Sequence, residues 1–376
     1  MSDSSPRSPV DLRALAGPFL LHGCFVDGAS YGSGHINDTF AVRFDQAGTP
    51  VRYILQRINQ RVFRDPSALM ENIQRVTEHA AACARANGRT DPARRALTLV
   101  PARDGGAFHR DDQGGCWRCY LFIEKARTLD LAENPRQAYE AGRAFGEFQR
   151  LLVDLPGARL HETIPNFHHT RSRFETLKRA MAADPRDRGA KVQAELDFVL
   201  AREAIVDVLL QLQSRGDIPE RITHNDTKFS NVMLDDTTNE GVCVIDLDTV
   251  MPGLSLYDFG DLVRSATNAA AEDEADLSKV AMRMPIYEGL VAGYLASAGG
   301  ILTPAERAHL AFSGKLITLE IGIRFLTDYV EGDVYFKTKR PDHNLERCRN
   351  QFALVRSIEQ QEPAMQRTAE RIIKAT

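Results

Sequence analysis

Near residue 126 the apolar pattern of this chain changes period, and that change limits its fold class more than any single residue does. From residue 19 to about 125 the apolar positions form short β-rich runs, at 40–44, 51–58, 96–101 and 117–124, broken by Gly, Pro and Asp. Runs of this length and spacing predict an antiparallel sheet. One helix interrupts them, with Asp65 as N-cap, Pro66 at the first helical position, and Leu69, Ile73, Val76 and Ala80 on one face. Beyond residue 126 the period is helical: Tyr139, Gly142, Phe145, Gln149 and Leu152 fall three or four apart within 136–153. Further helical stretches are predicted over 189–213, 279–298 and 304–329. A β-rich island at 231–247 sits among them, with NVMLD and GVCVIDLD on either side of the turn-like DDTTNEG.

The expected organisation is therefore α+β in two lobes. A small antiparallel-sheet lobe spans 19–125, a larger and mainly helical lobe spans 126–376, and residues 1–18 form a frayed polar tail. Two lobes also suit a chain of 376 residues, because single cores stop growing at about 250–300.

Charge and cysteine usage narrow the function class. Forty-seven basic residues against 51 acidic ones give a net charge of −4, so no overall basic field exists to hold nucleic acid. The six cysteines are scattered, as in a reduced cytoplasmic protein, and the pair Cys116 and Cys119 lacks a second pair at zinc spacing. The N-terminal segment has no apolar core of a signal peptide, and no apolar run reaches the roughly 18–20 residues that would span a bilayer. A cytoplasmic protein off the membrane is expected. No phosphate-loop motif G-x-x-x-x-G-K-[ST] occurs.

The chemistry concentrates in HNDTKFSN, residues 224–231, which fits H-x-D-x-x-x-x-N, the spacing of a kinase catalytic loop. In such a loop the Asp accepts a hydroxyl proton and the Asn holds Mg²⁺. A tight polar loop leading into a strand aims both side chains at one phosphate, whereas a helix would scatter them. Asp246 follows fifteen residues after Asn231, at the end of the apolar run VCVI. A carboxylate there is costly to bury without a counter-charge, which Mg²⁺ supplies. Taken alone, each piece also fits a solvated turn or a strand cap; their order along the chain favours catalysis. Upstream, YGSGHINDTF at 31–40 precedes a strand as a Gly-rich loop over nucleotide phosphates does, although a hairpin turn uses Gly in the same way.

Together these segments resemble the aminoglycoside phosphotransferase and choline kinase superfamily, which has a bilobal protein-kinase-like fold. Within it, YGSGHINDTF, ILQRIN, LMENI, HNDTKFSNVMLD, IDLDTVMPGLSLYDFGD and IRFLTDYVEGDVYF are similar to the N-acetylhexosamine 1-kinases, over residues 31–336. The resemblance implies transfer of the ATP γ-phosphate to the anomeric hydroxyl of N-acetylglucosamine or N-acetylgalactosamine, with ATP and Mg²⁺ as cofactors.

On that reading Asp226 is the base, and Asn231 and Asp246 bind the metal, with Asp248 a further metal candidate if the strand continues. Lys228 either neutralises γ-phosphate charge or is a surface lysine. Gly32, Gly34, Asn37 and Thr39 contact the nucleotide, whose adenine meets the backbone at Glu124 to Ala126. Where related kinases carry a lysine on the third strand, this chain offers Gln56 or Arg57. Arg57 has the charge, while Glu71, the expected partner, lies opposite the apolar stripe of its helix. The sugar candidates are His35, His224, Arg324 and Tyr335, with Arg324 equally placed for an ion pair with Glu320 or Asp328. Asp258 is expected either to cap a helix over 259–266 or, as the resemblance implies, to brace the catalytic loop. His168 and His169 are adjacent, lack metal-ligand spacing and receive no role. The competing functions are a kinase of choline, homoserine or an aminoglycoside, and a pseudokinase scaffold that binds nucleotide.

Overall fold

The computed structural model describes residues 11–32, 36–88 and 91–375. They form two compact units, Met1–Glu124 and Lys125–Thr376.

The first unit contains α1 (Leu12–Ala16), β1 (Cys24–Ser30), β2 (Asp38–Gln46), β3 (Thr49–Arg57), α2 (Pro66–Ala86), β4 (Leu99–Val100), β5 (His109–Arg110) and β6 (Cys116–Leu121). Its antiparallel sheet runs β1-β2-β3-β6-β4, with β5 added to β6. Period-2 alternation sends Tyr53 and Leu55 of β3, Val42 and Phe44 of β2, and Trp117 and Cys119 of β6 into one apolar core. Residues 12–16 depart from the frayed tail expected for them. Asp11 caps α1 by accepting from the Ala14 N–H at 3.0 Å, and Leu12, Leu15 and Ala16 give the turn an apolar side that packs on this core. α2 forms as expected: the Asp65 carboxylate accepts from the N–H groups of Ser67 and Ala68, Leu69, Ile73 and Val76 are buried, and Glu71 is exposed.

The second unit contains β7 (Ala126–Arg127), α3 (Pro135–Leu151), α4 (Thr170–Ala183), α5 (Gln193–Leu200), α6 (Val208–Ser214), β8 (Arg221–Thr223), β9 (Val232–Asp235), β10 (Gly241–Val244) and β11 (Met251–Gly253). It continues through α7 (Ser255–Thr267), α8 (Met284–Ala298), α9 (Pro304–Ala308), α10 (Leu310–Glu331) and α11 (His343–Ala375). Its strands form two small sheets, β10-β9-β7 and β11-β8. Three predicted stretches begin or break elsewhere, and the one over 304–329 divides at His309 into α9 and α10. The helix expected over 279–298 starts at Met284, because Pro285 lacks an N–H and belongs in a first turn. The stretch at 189–213 divides into α5, α6 and two 3₁₀ turns, although its sequence contains no proline, and nothing in the structure explains the break.

One close approach positions the site. α3 and α8 pack so tightly that a Cβ at Gly142 would lie 2.4 Å from the Leu290 carbonyl oxygen, and one at Gly293 would lie 2.0 Å from that of Tyr139. Only glycine fits there. The contact fixes α3, whose Phe145 and Phe148 reach His224 between β8 and β9 and whose Gln149 reaches Asp258 of α7. Among the described residues, no helix is long and apolar enough to cross a membrane.

Candidate active site

β8 and β11 pair, and the chain leaves β8 into residues 224–231. Asn225 takes a left-handed backbone conformation, φ 63°, which Asn tolerates better than most residues. Its side chain is tied down at both ends: Oδ1 accepts from Thr223 Oγ1 at 3.0 Å, and Nδ2 donates to the Thr249 carbonyl at 3.0 Å. Asp258 then clamps the loop backbone. Its carboxylate accepts from the N–H of His224 at 2.9 Å and of Asn225 at 2.7 Å, and also from the amide of Gln149. Asp258 is not the N-cap of its helix. α7 begins three residues earlier, at Ser255, which places this carboxylate in the first turn facing the loop. Burial raises its pKa, and the hydrogen bonds it accepts from His224 and Asn225 only partly offset that.

These restraints converge on Asp226. Lys228 Nζ lies 3.0 Å from its Oδ1, and Asn231 Nδ2 donates to its carbonyl oxygen at 2.8 Å and to Oδ2 at 3.2 Å. Burial acts to raise the Asp226 pKa, but Lys228 first, then His224 and Arg264, outweigh it and hold the carboxylate below its usual range. Lys228 is raised in turn, burial being outweighed by Asp226, Glu272 and Asp261. An ionised carboxylate beside a fixed ammonium can accept a proton from a hydroxyl while the cation faces an anionic group.

The two strands after the loop bring in Asp246. The Ile245 N–H donates to the Asn231 carbonyl at 2.9 Å, and the Ile245 carbonyl accepts from His224 Nε2 at 2.9 Å. Asp246, next in sequence, has φ 62° and is exposed. Asp248 differs. Alternation ends with β10 at Val244, residues 247–249 form a 3₁₀ turn, and Asp248 is buried, so the two carboxylates occupy different surroundings.

The donor set fits a hard divalent cation. The amide nitrogen of Asn231 is engaged by Asp226, and its remaining amide oxygen and the Asp246 carboxylate are oxygen ligands of the type Mg²⁺ takes. Among the described residues no three His, Cys, Asp or Glu side chains cluster as a metal site.

The sugar candidates divide. His224 is corrected from a substrate contact to a structural ring. Nε2 donates to Ile245, Nδ1 accepts from the Asp226 N–H at 3.3 Å, and the buried ring packs edge-on against Phe145 and Phe148. Arg324 and Tyr335 do come together: the guanidinium sits 4.6 Å from the Phe167 ring centroid, 5.9 Å from Tyr335 and 5.7 Å from Phe336. The ion pair weighed for Arg324 gives way to these rings, because Glu320 hydrogen bonds His168 and Thr170, and Asp328 accepts from the N–H groups of Val334, Tyr335 and Phe336. His35 and Gly34 lie outside the described residues.

The nucleotide candidates lie in the first unit, except Ala126, which belongs to β7 of the second. Gly32 is exposed with φ 78°. Asn37 Oδ1 accepts from the Asn59 N–H at 3.0 Å, and Thr39 Oγ1 accepts from Gln56 Nε2 at 3.0 Å. Register separates Gln56 from Arg57. Thr39, Gln56 and Arg118 are direct cross-strand partners, and Arg118 Nε donates to Gln56 Oε1 at 3.0 Å. Arg57 belongs to the face of Tyr53 and Leu55, near Asp111. The buried cation beside Gln56 is thus Arg118, which sequence reasoning missed, because the run WRCY in a strand reads as core. The Glu124 carboxylate pairs with Arg52 at 2.9 Å and its carbonyl accepts from Arg94, while Ala126 pairs with Asp235 in β7 and β9.

Residues 27–304 match the family described as phosphotransferase enzyme family. The fold matches solved structures over most of the chain. An aminoglycoside phosphotransferase from Alicyclobacillus acidocaldarius aligns with 100% of this chain and 99% of its own, at 12% identity and TM-score 0.61. A spectinomycin phosphotransferase, crystallised with ADP and spectinomycin, aligns with 93% and 97%, at 12% identity and TM-score 0.54. A choline kinase from Cryptosporidium parvum aligns with 89% of each chain, at 14% identity and TM-score 0.50. At these identities the likeness is one of fold, an antiparallel-sheet unit followed by a mostly helical one.

Proposed function

The chain belongs to the phosphotransferase enzyme family, and from that premise we propose that it is an ATP- and Mg²⁺-dependent kinase acting on the anomeric hydroxyl of an N-acetylhexosamine. The observation that carries the kinase reading is the braced Asp226, an ionised carboxylate with Lys228 3.0 Å away and Asn231 bonded to it. In the reaction, the Asp226 carboxylate takes the acceptor's hydroxyl proton. The acceptor oxygen then forms its bond to the γ-phosphorus as the bond from that phosphorus to the β,γ-bridging oxygen breaks, and ADP leaves. Lys228 would neutralise the developing phosphate charge. Asn231 and Asp246 would hold Mg²⁺, which when bound neutralises phosphate charge. Positioning and electrostatics supply most of the rate for a loose phosphoryl-transfer transition state.

The acceptor assignment rests on the resemblance in residues 31–336 and on the cluster around Arg324. That guanidinium already occupies the faces of Phe167, Tyr335 and Phe336. A cationic acceptor such as choline or an aminoglycoside would meet like charge there, while a neutral polyol finds hydrogen-bond donors and an aromatic wall.

The test is an acceptor screen with ATP and Mg²⁺, reading ADP release with N-acetylglucosamine, N-acetylgalactosamine, choline, homoserine and an aminoglycoside. Turnover with the two amino sugars, lost in Asp226→Asn, supports the assignment. Turnover with another alcohol alone leaves the kinase and replaces the substrate, and no acceptor-dependent ADP release ends both.

A further inference from the structure

His168 and His224 both touch the catalytic loop, and they differ in what faces their nitrogens. His224 has one acceptor, the Ile245 carbonyl, and one donor, the Asp226 N–H, so a neutral ring satisfies both. His168 has two acceptors. Nε2 lies 2.8 Å from the carbonyl oxygen of Asn225, the residue before the proposed base, and Nδ1 lies 2.7 Å from Glu320 Oε1. A carbonyl only accepts, so Nε2 carries a hydrogen. With Glu320 ionised, Nδ1 must carry one too, and the ring is an imidazolium. Either neutral tautomer would turn a lone pair on Asn225 or on the carboxylate.

The surroundings are closed. The side chains of His168 and Glu320 are 1% and 0% exposed. Thr170 Oγ1 donates to Glu320 Oε2 at 2.6 Å, the Phe167 ring stands edge-on to the imidazole at 4.7 Å, and the Tyr257 ring of α7 lies 5.4 Å away. The charged groups around the pair are Arg324, one turn along α10, and Arg173 of α4; burial keeps the Tyr257 hydroxyl protonated. Burial would raise the Glu320 pKa; His168 lowers it most, and the Thr170 hydroxyl and the Arg324 cation, which do not depend on the ring's charge, lower it too. The pair therefore links α10, which carries Arg324, to the loop that carries Asp226.

We propose that His168 is a positioning residue that holds the Asn225 carbonyl as a doubly protonated ring paired with Glu320, so that the loop geometry at Asp226 depends on that one proton. The functional half of this rests on Asp226 being the base; the protonation half does not. With a hydrogen on only one ring nitrogen, one of the two bonds must break and the loop loses its tether to α10.

The experiment uses the full chain labelled with ¹⁵N-histidine, without substrate, at neutral pH, with His168→Gln identifying the resonances. Two protonated ring nitrogens on His168 are expected in the wild type. In Glu320→Gln the new amide donates to Nδ1 of a neutral ring while Nε2–H still serves Asn225, so one nitrogen becomes unprotonated and both bonds survive. An unprotonated nitrogen in the wild type overturns the proposal whatever the acceptor proves to be. In turnover, Glu320→Gln, which keeps both bonds, retains most of the wild-type rate. His168→Gln, left with one donor for two acceptors, falls roughly tenfold to hundredfold in kcat with the KM for ATP little changed, the scale of a small misplacement of a reacting group. A His168→Gln that keeps the wild-type kcat, or a Glu320→Gln that falls as far as His168→Gln, would overturn the link to catalysis while leaving the kinase reading intact.

Discussion

The loop at 223–231 and the strand row Thr39, Gln56 and Arg118 are both polar and both largely shielded, yet they are built in different ways. In the loop, charge meets charge or a row of N–H groups: Asp226 faces Lys228, and Asp258 accepts from two successive backbone amides. In the row, Arg118 is joined through the neutral amide of Gln56 to the hydroxyl of Thr39. The first arrangement fixes the position of one ionised group to within a hydrogen bond. The second holds a cation in a sheet. The loop should therefore fail in turnover when altered, and the row in stability and nucleotide affinity.

The largest effect is expected at the loop's centre. Asp226→Asn should lower kcat by about 10²- to 10⁴-fold, the worth of a positioned general base, and lower the melting temperature only by the modest amount its pair with Lys228 contributes. A comparable loss of thermal stability would mean that this carboxylate is structural. Asp258→Asn comes next. The amide has one oxygen for two N–H donors and turns its NH₂ toward one of them, so unfolding by urea should show a loss of about 1–3 kcal/mol, together with lower kcat.

The row sets the other side of the comparison. Gln56→Ala removes the acceptor of a buried guanidinium and should destabilise by about 1–3 kcal/mol while raising the KM for ATP. Arg57→Ala, on the opposite face beside Asp111, should raise the KM for ATP much less. If Arg57→Ala raises the KM for ATP more than Gln56→Ala does, the register argument is wrong.

The smallest effect is a shift in pH dependence. The Asp226 pKa is lowered in the fold, so its ionised form contributes stability above the ordinary Asp range, lost only as pH falls through the lowered value. The acid limb of kcat/KM should therefore lie below the ordinary value of about 3.9. Lys228→Met removes the main group opposing burial and should move that limb upward. An unmoved limb would assign it to another group.

Much of the candidate loop could be read from spacing alone. Asp226 and Asn231 are five residues apart in one turn, and Asp246 follows two residues beyond β10, which pairs with the strand that Asn231 precedes, so local geometry brings their backbone segments together. Asp258 was half legible: its proximity to a helix start suggested a cap, whereas the start lies at Ser255 and the carboxylate serves the loop instead. His224 and Arg118 were misread or missed for one reason. A residue's type does not reveal whether its polar atoms are already engaged by the backbone or by a strand neighbour.

The sequence by itself determined the order of the two units, the sheet and helix content of each, and the polar loop with its following strand, because these depend on period and on contacts a few residues apart. Only the tertiary structure decided which histidine is tethered by two acceptors. His168 and Glu320 lie 152 residues apart and meet because α10 and the segment before α4 pack together. The proton they hold follows from what surrounds the ring, a property of the packed fold that no local pattern encodes.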